Sequence, residues 1–118
     1  LFNQIKGGII MSEVLLQINF KFSVSSEEYI NAVSPLADQF AKIPGLIWKI
    51  WPLNVEEREA GGIMLFESQS HVDEYLNSSL AKVVTGHPAL SNFSIKQFNI
   101  MKDCTEVTRG PLKNAVGA

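Results

Sequence analysis

The chain has 118 residues and a mass of 13.1 kDa, enough for one compact domain and too few for two with separate cores. Apolar residues make up 46%, charged residues 19%, and mean hydropathy is +0.09, which excludes a disordered chain and supplies a real core. Lys plus Arg number 10 against 12 for Asp plus Glu, a formal charge of -2, so no basic surplus faces a nucleic-acid backbone.

A single cysteine, Cys104, excludes an internal disulfide and any multi-cysteine metal site, and a cytoplasmic location is the expectation. Residues 1–10 contain one Lys and no apolar stretch of signal-peptide or membrane-span length. They read as a leader or expression remnant before Met11, and no membrane partner is expected. The domain is expected over residues 11–101, with a polar tail over residues 102–118 that is open to contact with a second subunit.

Val14 to Phe22 alternates cleanly, with Val14, Leu16, Ile18, Phe20 and Phe22 on one face, and predicts a half-buried strand. Ser25 with Glu28 three residues on forms a capping-box signature. Tyr29/Ile30, Val33, Leu36/Ala37, Phe40 and Ile43 then recur at helical spacing, with Pro35 expected to bend the helix and Pro44-Gly45 to stop it. Leu46 to Trp51 reads as a short strand with Leu46, Trp48 and Ile50 on one face and Ile47, Lys49 and Trp51 on the other. Pro52 to Arg58 reads as a polar hairpin loop, and Glu59 to Glu67 as a third strand. Its paired Gly61 and Gly62 signal a bulge or a close approach to the backbone. Ser70 with Asp73 predicts the next helix start, and Val72, Tyr75/Leu76, Leu80 and Val83/Val84 its apolar stripe, closing near Gly86-His87-Pro88. Phe93 to Met101 is the last predicted strand.

Strand, helix, strand, strand, helix, strand is the βαββαβ order of the split βαβ, ferredoxin-like α+β fold: a four-stranded antiparallel sheet with two helices on one face. The other face is expected to carry Gln17, Asn19 and Lys49 or its neighbours among large apolar groups. That mixture is too apolar to stay wet, so a homodimer paired through open sheet faces is expected.

Three stretches, Pro35-Leu36-Ala37, Pro44-Gly45-Leu46-Ile47-Trp48-Lys49-Ile50-Trp51 and Glu59-Ala60-Gly61-Gly62-Ile63-Met64-Leu65-Phe66, resemble the YdhR-type monooxygenase-like family of dimeric α/β barrels. The opening strand, Leu15 to Phe20, resembles it as well. The resemblance spans about Met11 to Met101 and implies a dimeric α/β barrel with a cofactor-independent monooxygenase-like role.

Oxygen attacks an organic substrate without a cofactor when the substrate becomes an electron-rich anion in an apolar pocket. Trp48, Trp51, Met64, Phe66 and Tyr29 are the candidate walls. Asn19, Lys49, His71 and Tyr75 are the candidate catalytic groups, with Lys49 beside two tryptophans the most suggestive. Each has a plainer reading: the tryptophans as core or interface, Lys49 as a snorkelling margin residue, Tyr75 as a core tyrosine, His71 as a solvated first-turn residue, Asn19 as a cross-strand partner. His71 and His87 lack metal-ligand spacing, and no metal or other cofactor is expected. The expected function is oxidation of a small electron-rich aromatic or polyketide-like compound. The alternative is a non-catalytic module that sequesters a small hydrophobic ligand. A third reading is haem binding and degradation, for which Asn19, Trp48 or Trp51, and His71 or His87 offer the residue types without the motif.

Overall fold

Alternation of apolar and polar side chains places the first strand, β1 (Val14–Phe22), at the centre of an antiparallel sheet, where its apolar face is covered along its whole length. The computed structural model describes residues 12–112; the leader read over residues 1–10 and the last residues of the tail lie outside them. The remaining strands are β2 (Leu46–Ile50), β3 (Leu53–Asn54), β4 (Glu59–Phe66) and β5 (Leu90–Asn99). The sheet runs β2-β4-β1-β5, with the two-residue β3 pairing β4 beyond the end of β2. The helices on its covered face are α1 (Ser26–Val33), α2 (Ala37–Ala41), α3 (Gln69–Leu76) and α4 (Ser79–Thr85). This is the expected ferredoxin-like α+β architecture. Among the described residues no helix is long and apolar enough to cross a membrane.

Local chemistry explains where the helices break. Ser25 accepts from the Glu28 amide at 3.1 Å while the Glu28 carboxylate accepts from the Ser25 amide at 3.3 Å, closing the capping box that starts α1. Pro35 cannot donate, and the chain passes through a 3-10 turn, Ser34–Leu36, before α2 resumes. The second helical stretch starts on Ser68, whose hydroxyl accepts from the His71 amide, two residues before the expected cap at Ser70. It is also interrupted: Ser78 caps a new helix, α4, by accepting from the Ala81 amide.

The core lies between sheet and helices. Leu16, Phe66 and Val72 are wholly buried there, with Val14, Ile18, Phe20, Phe22, Phe40 and Met64 around them. Each such side chain contributes about 1.5–3 kcal/mol relative to exposure.

Two features of the sheet matter for the site. Leu46 pairs with Phe66 and Trp48 with Leu65, so Ile47 is an extra residue and β2 is bulged there. Leu46 therefore joins Lys49 on the helix-covered face, which corrects the strict alternation expected for this strand. Lys49, opposite Met64, also leaves the open face on which it was expected. The second is a close approach of β4 to β1, whose pairing keeps an unbroken register. A Cβ on Gly61 would overlap the Ile18 carbonyl oxygen of β1, so only glycine lets β4 close onto β1 here. Gly61→Ala is expected to cost roughly 3 kcal/mol or more, through a displaced strand pair at the sheet centre. Urea denaturation checks this; an unchanged midpoint would contradict it.

The open face carries Gln17, Asn19, Ile63, Trp48 and the exposed Ile50 and Phe98. Part of it is covered by the chain itself. After β5 comes a short helix, α5 (Lys102–Val107), and beyond it the Trp48 indole donates to the Pro111 carbonyl at 2.7 Å. Leu65 and Leu112 are buried outside the helix-side core cluster. The segment read as a polar tail thus folds back over its own sheet as far as Leu112.

Candidate active site

A cavity of about 400 Å³ opens between the sheet and the helices, within the roughly 300–1,000 Å³ range of small-molecule sites. Ile18, Phe20, Gly61, Gly62 and Met64 form its floor, α1 and Leu36 one wall, and Tyr75, Val84 and Leu90 the other. The exposed Glu28, Ala32, Val83 and His87 mark its rim. Apart from a few polar groups, every wall is hydrocarbon or aromatic.

Lys49 is the cationic side chain in this lining. Its position opposite Met64 turns it inward, and its Nζ lies 3.4 Å from the Phe40 ring centroid and 3.6 Å from that of Trp51. The two rings meet edge to face at 5.2 Å, forming an aromatic notch for the amine. Gly62 gives the side chain its room, because a Cβ there would stand 2.8 Å from Lys49 Cε. The ion pair seen among the described residues joins Lys21 at the end of β1 to Glu57 of the hairpin loop, and among those residues Lys49 pairs with no carboxylate. Burial without a counter-charge pulls its pKa down to about 7. Near neutral pH the amine is therefore divided between its basic and its charged form.

Tyr29 and Tyr75 line the same cavity from opposite walls. Tyr29 stacks on Phe22 at 4.8 Å and meets Phe20 edge-on at 6.0 Å. Tyr75 is held between Phe40 at 6.0 Å and Phe66 at 5.8 Å. Burial raises both phenols to about 12, so they remain proton-bearing donors throughout the working range.

Of the residues singled out in the sequence, Lys49, Tyr75, Tyr29, Trp51 and Met64 are brought together in this lining. The others are not. Phe66 lies wholly buried beneath Tyr75 and supports it without reaching the cavity. Trp48 points to the opposite sheet face, tied to Pro111. Asn19, paired with Gly61 and Ser94, is on that face too. His71 packs its ring over Gly45, whose φ of 80° and lack of a Cβ make the space, and its Nδ1 meets the Ser68 hydroxyl at 2.9 Å. It fastens the start of α3 to the turn before β2. Of the residues offered for haem, Trp51 and His87 line this cavity, whereas Asn19, Trp48 and His71 do not. Among the described residues no cluster of three metal-ligating side chains occurs.

Sequence reasoning passed over Phe40 and Glu28 as parts of the site, and named His87 for the haem reading alone. Phe40 stood in the helical stripe as ordinary core, and nothing in its spacing shows that a lysine from another strand rests on its ring. His87 is held at the rim by the Ala89 amide, which donates to its Nδ1 at 3.0 Å.

Comparison with known proteins agrees with this architecture. The chain matches solved structures including protein SO0527 from Shewanella oneidensis, at 14% identity and a TM-score of 0.65, covering 76% of this chain and 92% of that one. It also matches SnoaB, described as a cofactor-independent oxygenase from Streptomyces nogalater, at 17% identity and a TM-score of 0.64, covering 77% and 95%. A third match is a hydroxynitrile lyase from Passiflora edulis, at 10% identity and a TM-score of 0.61, covering 78% and 96%. These likenesses establish the fold and leave the chemistry to the site. No curated protein matches the chain by sequence. The family described as "Putative mono-oxygenase ydhR" matches residues 15–111, from the second residue of β1 to the segment tied down by Trp48, and the chain belongs to that family.

Proposed function

We propose that this protein is a cofactor-independent monooxygenase of small electron-rich aromatic or polyketide-like compounds, and that Lys49 is its base. The observation that carries this reading is an amine with a pKa near 7, uncompensated by any carboxylate, inside an apolar cavity of ligand size. Membership of a mono-oxygenase family and the fold shared with SnoaB support it.

A substrate of the anthrone type, with a CH₂ group between aromatic rings and conjugated to a carbonyl, suits these walls. Neutral Lys49 takes a proton from that carbon, leaving an enolate beside an ammonium, an ion pair that the dry surroundings strengthen. In this reading Tyr29 and Tyr75, the phenols of the lining, are the donors to the enolate oxygen. The enolate passes one electron to O₂, and the resulting radical and superoxide combine into a carbon-bound peroxide. Lys49 returns the proton, and the hydroperoxide loses water to leave a carbonyl. One oxygen atom enters the product and the other leaves as water; all four electrons come from the substrate, so no external reductant is required.

The test is oxygen uptake with an anthrone, which is expected to consume one O₂ per ketone formed and to place ¹⁸O from ¹⁸O₂ in the product. Quenching of Trp51 fluorescence by the anthrone with no oxygen uptake would instead establish the sequestering module. A second copy of this chain is the partner we assign to the open sheet face, because Ile50 and Phe98 remain exposed beside the strip that the 102–112 segment covers. A cytoplasmic location fits a chain with one thiol.

A further inference from the structure

We propose that Lys49 also captures small apolar aldehydes and ketones as a reversible imine within the same cavity, a covalent activity that needs no oxygen. The inference rests on the reading of the cavity as a binding site but on none of its oxygen chemistry.

Imine formation needs an amine with a free lone pair, room beside it for a carbonyl carbon, a proton donor for the departing oxygen, and limited water. Lys49 Nζ makes no hydrogen bond or ion pair among the described residues; its contacts are the faces of Phe40 and Trp51. Those faces hold the nitrogen without occupying its lone pair by a donor. Gly62 keeps the side facing Lys49 Cε clear of a Cβ. Tyr29 and Tyr75 line the same cavity, and their phenols are the proton donors that the step calls on. Glu28, the carboxylate in the lining, is engaged at the rim by the Ser25 amide and hydroxyl at 3.3 and 3.2 Å.

The step balances without a co-reactant. The nitrogen lone pair adds to the carbonyl carbon, and the carbonyl oxygen takes up a proton to give a carbinolamine. Loss of that oxygen as water, which carries off in net the two hydrogens of the amine, forms the C=N bond, and readdition of water reverses it. Nothing is oxidised or reduced. The walls select the carbonyl compound: aromatic or branched apolar aldehydes bury their carbon against Met64, Leu36 and Val84, whereas polyhydroxylated aldehydes leave hydroxyls unpaired.

Sodium cyanoborohydride reduces the imine to a stable secondary amine, so trapping followed by peptide mass mapping reads the site of capture. The experiment uses the full chain, benzaldehyde as probe, degassed buffer at pH 7, and the exposed Lys42, Lys82, Lys96 and Lys102 as internal references. Lys49 is expected to be trapped faster than each reference on the order of 100-fold, its larger neutral fraction being offset in part by lower basicity. Its rate is expected to saturate with benzaldehyde, and glyceraldehyde is expected to lose the preference. Equal labelling of Lys49 and the references, or a Lys49 rate that stays linear in benzaldehyde, would overturn the proposal. Because oxygen is absent, this failure is separate from a failure of oxygen uptake. A Lys49→Arg variant, expected to lose the saturable phase, is an added control that the internal comparison does not depend on.

Discussion

Lys49→Met is expected to slow oxygen uptake about 10²–10⁴-fold, the range contributed by one positioned proton-transfer group. Methionine is close to lysine in length, carries no charge, and fits the notch between Phe40 and Trp51 where the lysine stem now passes. The cavity walls are otherwise untouched, so binding of an apolar ligand is expected to weaken far less than turnover. That split is the useful part of the result, because a merely structural lysine would affect both or neither. Lys49→Arg is expected not to restore turnover, since a guanidinium stays charged at any working pH and cannot take the proton. Initial rates at an oxygen electrode, set beside Trp51 quenching by the same ligand, measure the two effects. Full turnover in the Met variant would remove Lys49 from the chemistry.

The same substitution is expected to change how stability depends on pH. Lys49 has its pKa lowered from 10.5 to about 7 by desolvation in the folded protein. Between those values the unfolded chain holds a proton that the folded chain has released, so stability rises with pH through this window, by at most about 1.4 kcal/mol per unit. Below pH 7 both states are protonated and the burial penalty is carried in full. Tyr29 and Tyr75 act with the opposite sign. Their folded pKa values near 12 lie above the ordinary phenol value of 10.0, so the unfolded phenols ionise first and stability falls as pH climbs past 10. The wild-type curve is therefore expected to climb from pH 7 towards 10 and then descend. In Lys49→Met the climb disappears, the descent remains, and stability at pH 7 is higher than wild type. Glu28 and His87 at the rim are common to both proteins, so the difference between the two curves isolates Lys49. Urea midpoints across this range measure it; parallel curves would mean that the amine is solvated.

The fold was legible where one physical cause dominates. β1 alternates because helices cover one of its faces along nine residues, and that pattern survives in the amino acids alone. Pro35 announces its own break in the helix for a chemical reason that needs no tertiary context. Features set by partners distant in sequence were not legible. The bulge at Ile47 exists because β2 must follow β4, and it moves Leu46 across the sheet without any glycine or proline to mark it. Ser68 and Ser70 both carry hydroxyls suited to a helix start, and the choice between them follows from His71 docking over Gly45. The return of the 102–112 segment depends on one indole, Trp48, finding one carbonyl.

The site divides along the same line. Lys49 and Trp51, two apart on an extended segment, share a face as alternation requires, and their nearness to Tyr29 and Tyr75 follows from the apolar stripes that dock the helices. Asn19, His71 and Trp48 have residue types as suggestive as any of these. Their backbone positions commit them elsewhere: Asn19 and Trp48 to the opposite sheet face, His71 to the helix start. Residue type named the chemistry, and only strand parity and helix docking selected the groups that meet.

The most direct test is an NMR titration of Lys49, followed at its ¹³Cε, with and without a bound phenol. The free protein is expected to show a Lys49 resonance titrating near pH 7, and the phenol is expected to raise that midpoint, because a phenolate in the cavity favours the ammonium. A Lys49 that titrates with the exposed lysines, or one whose midpoint a bound phenol leaves unmoved, would contradict the assignment of this amine as the base of the site.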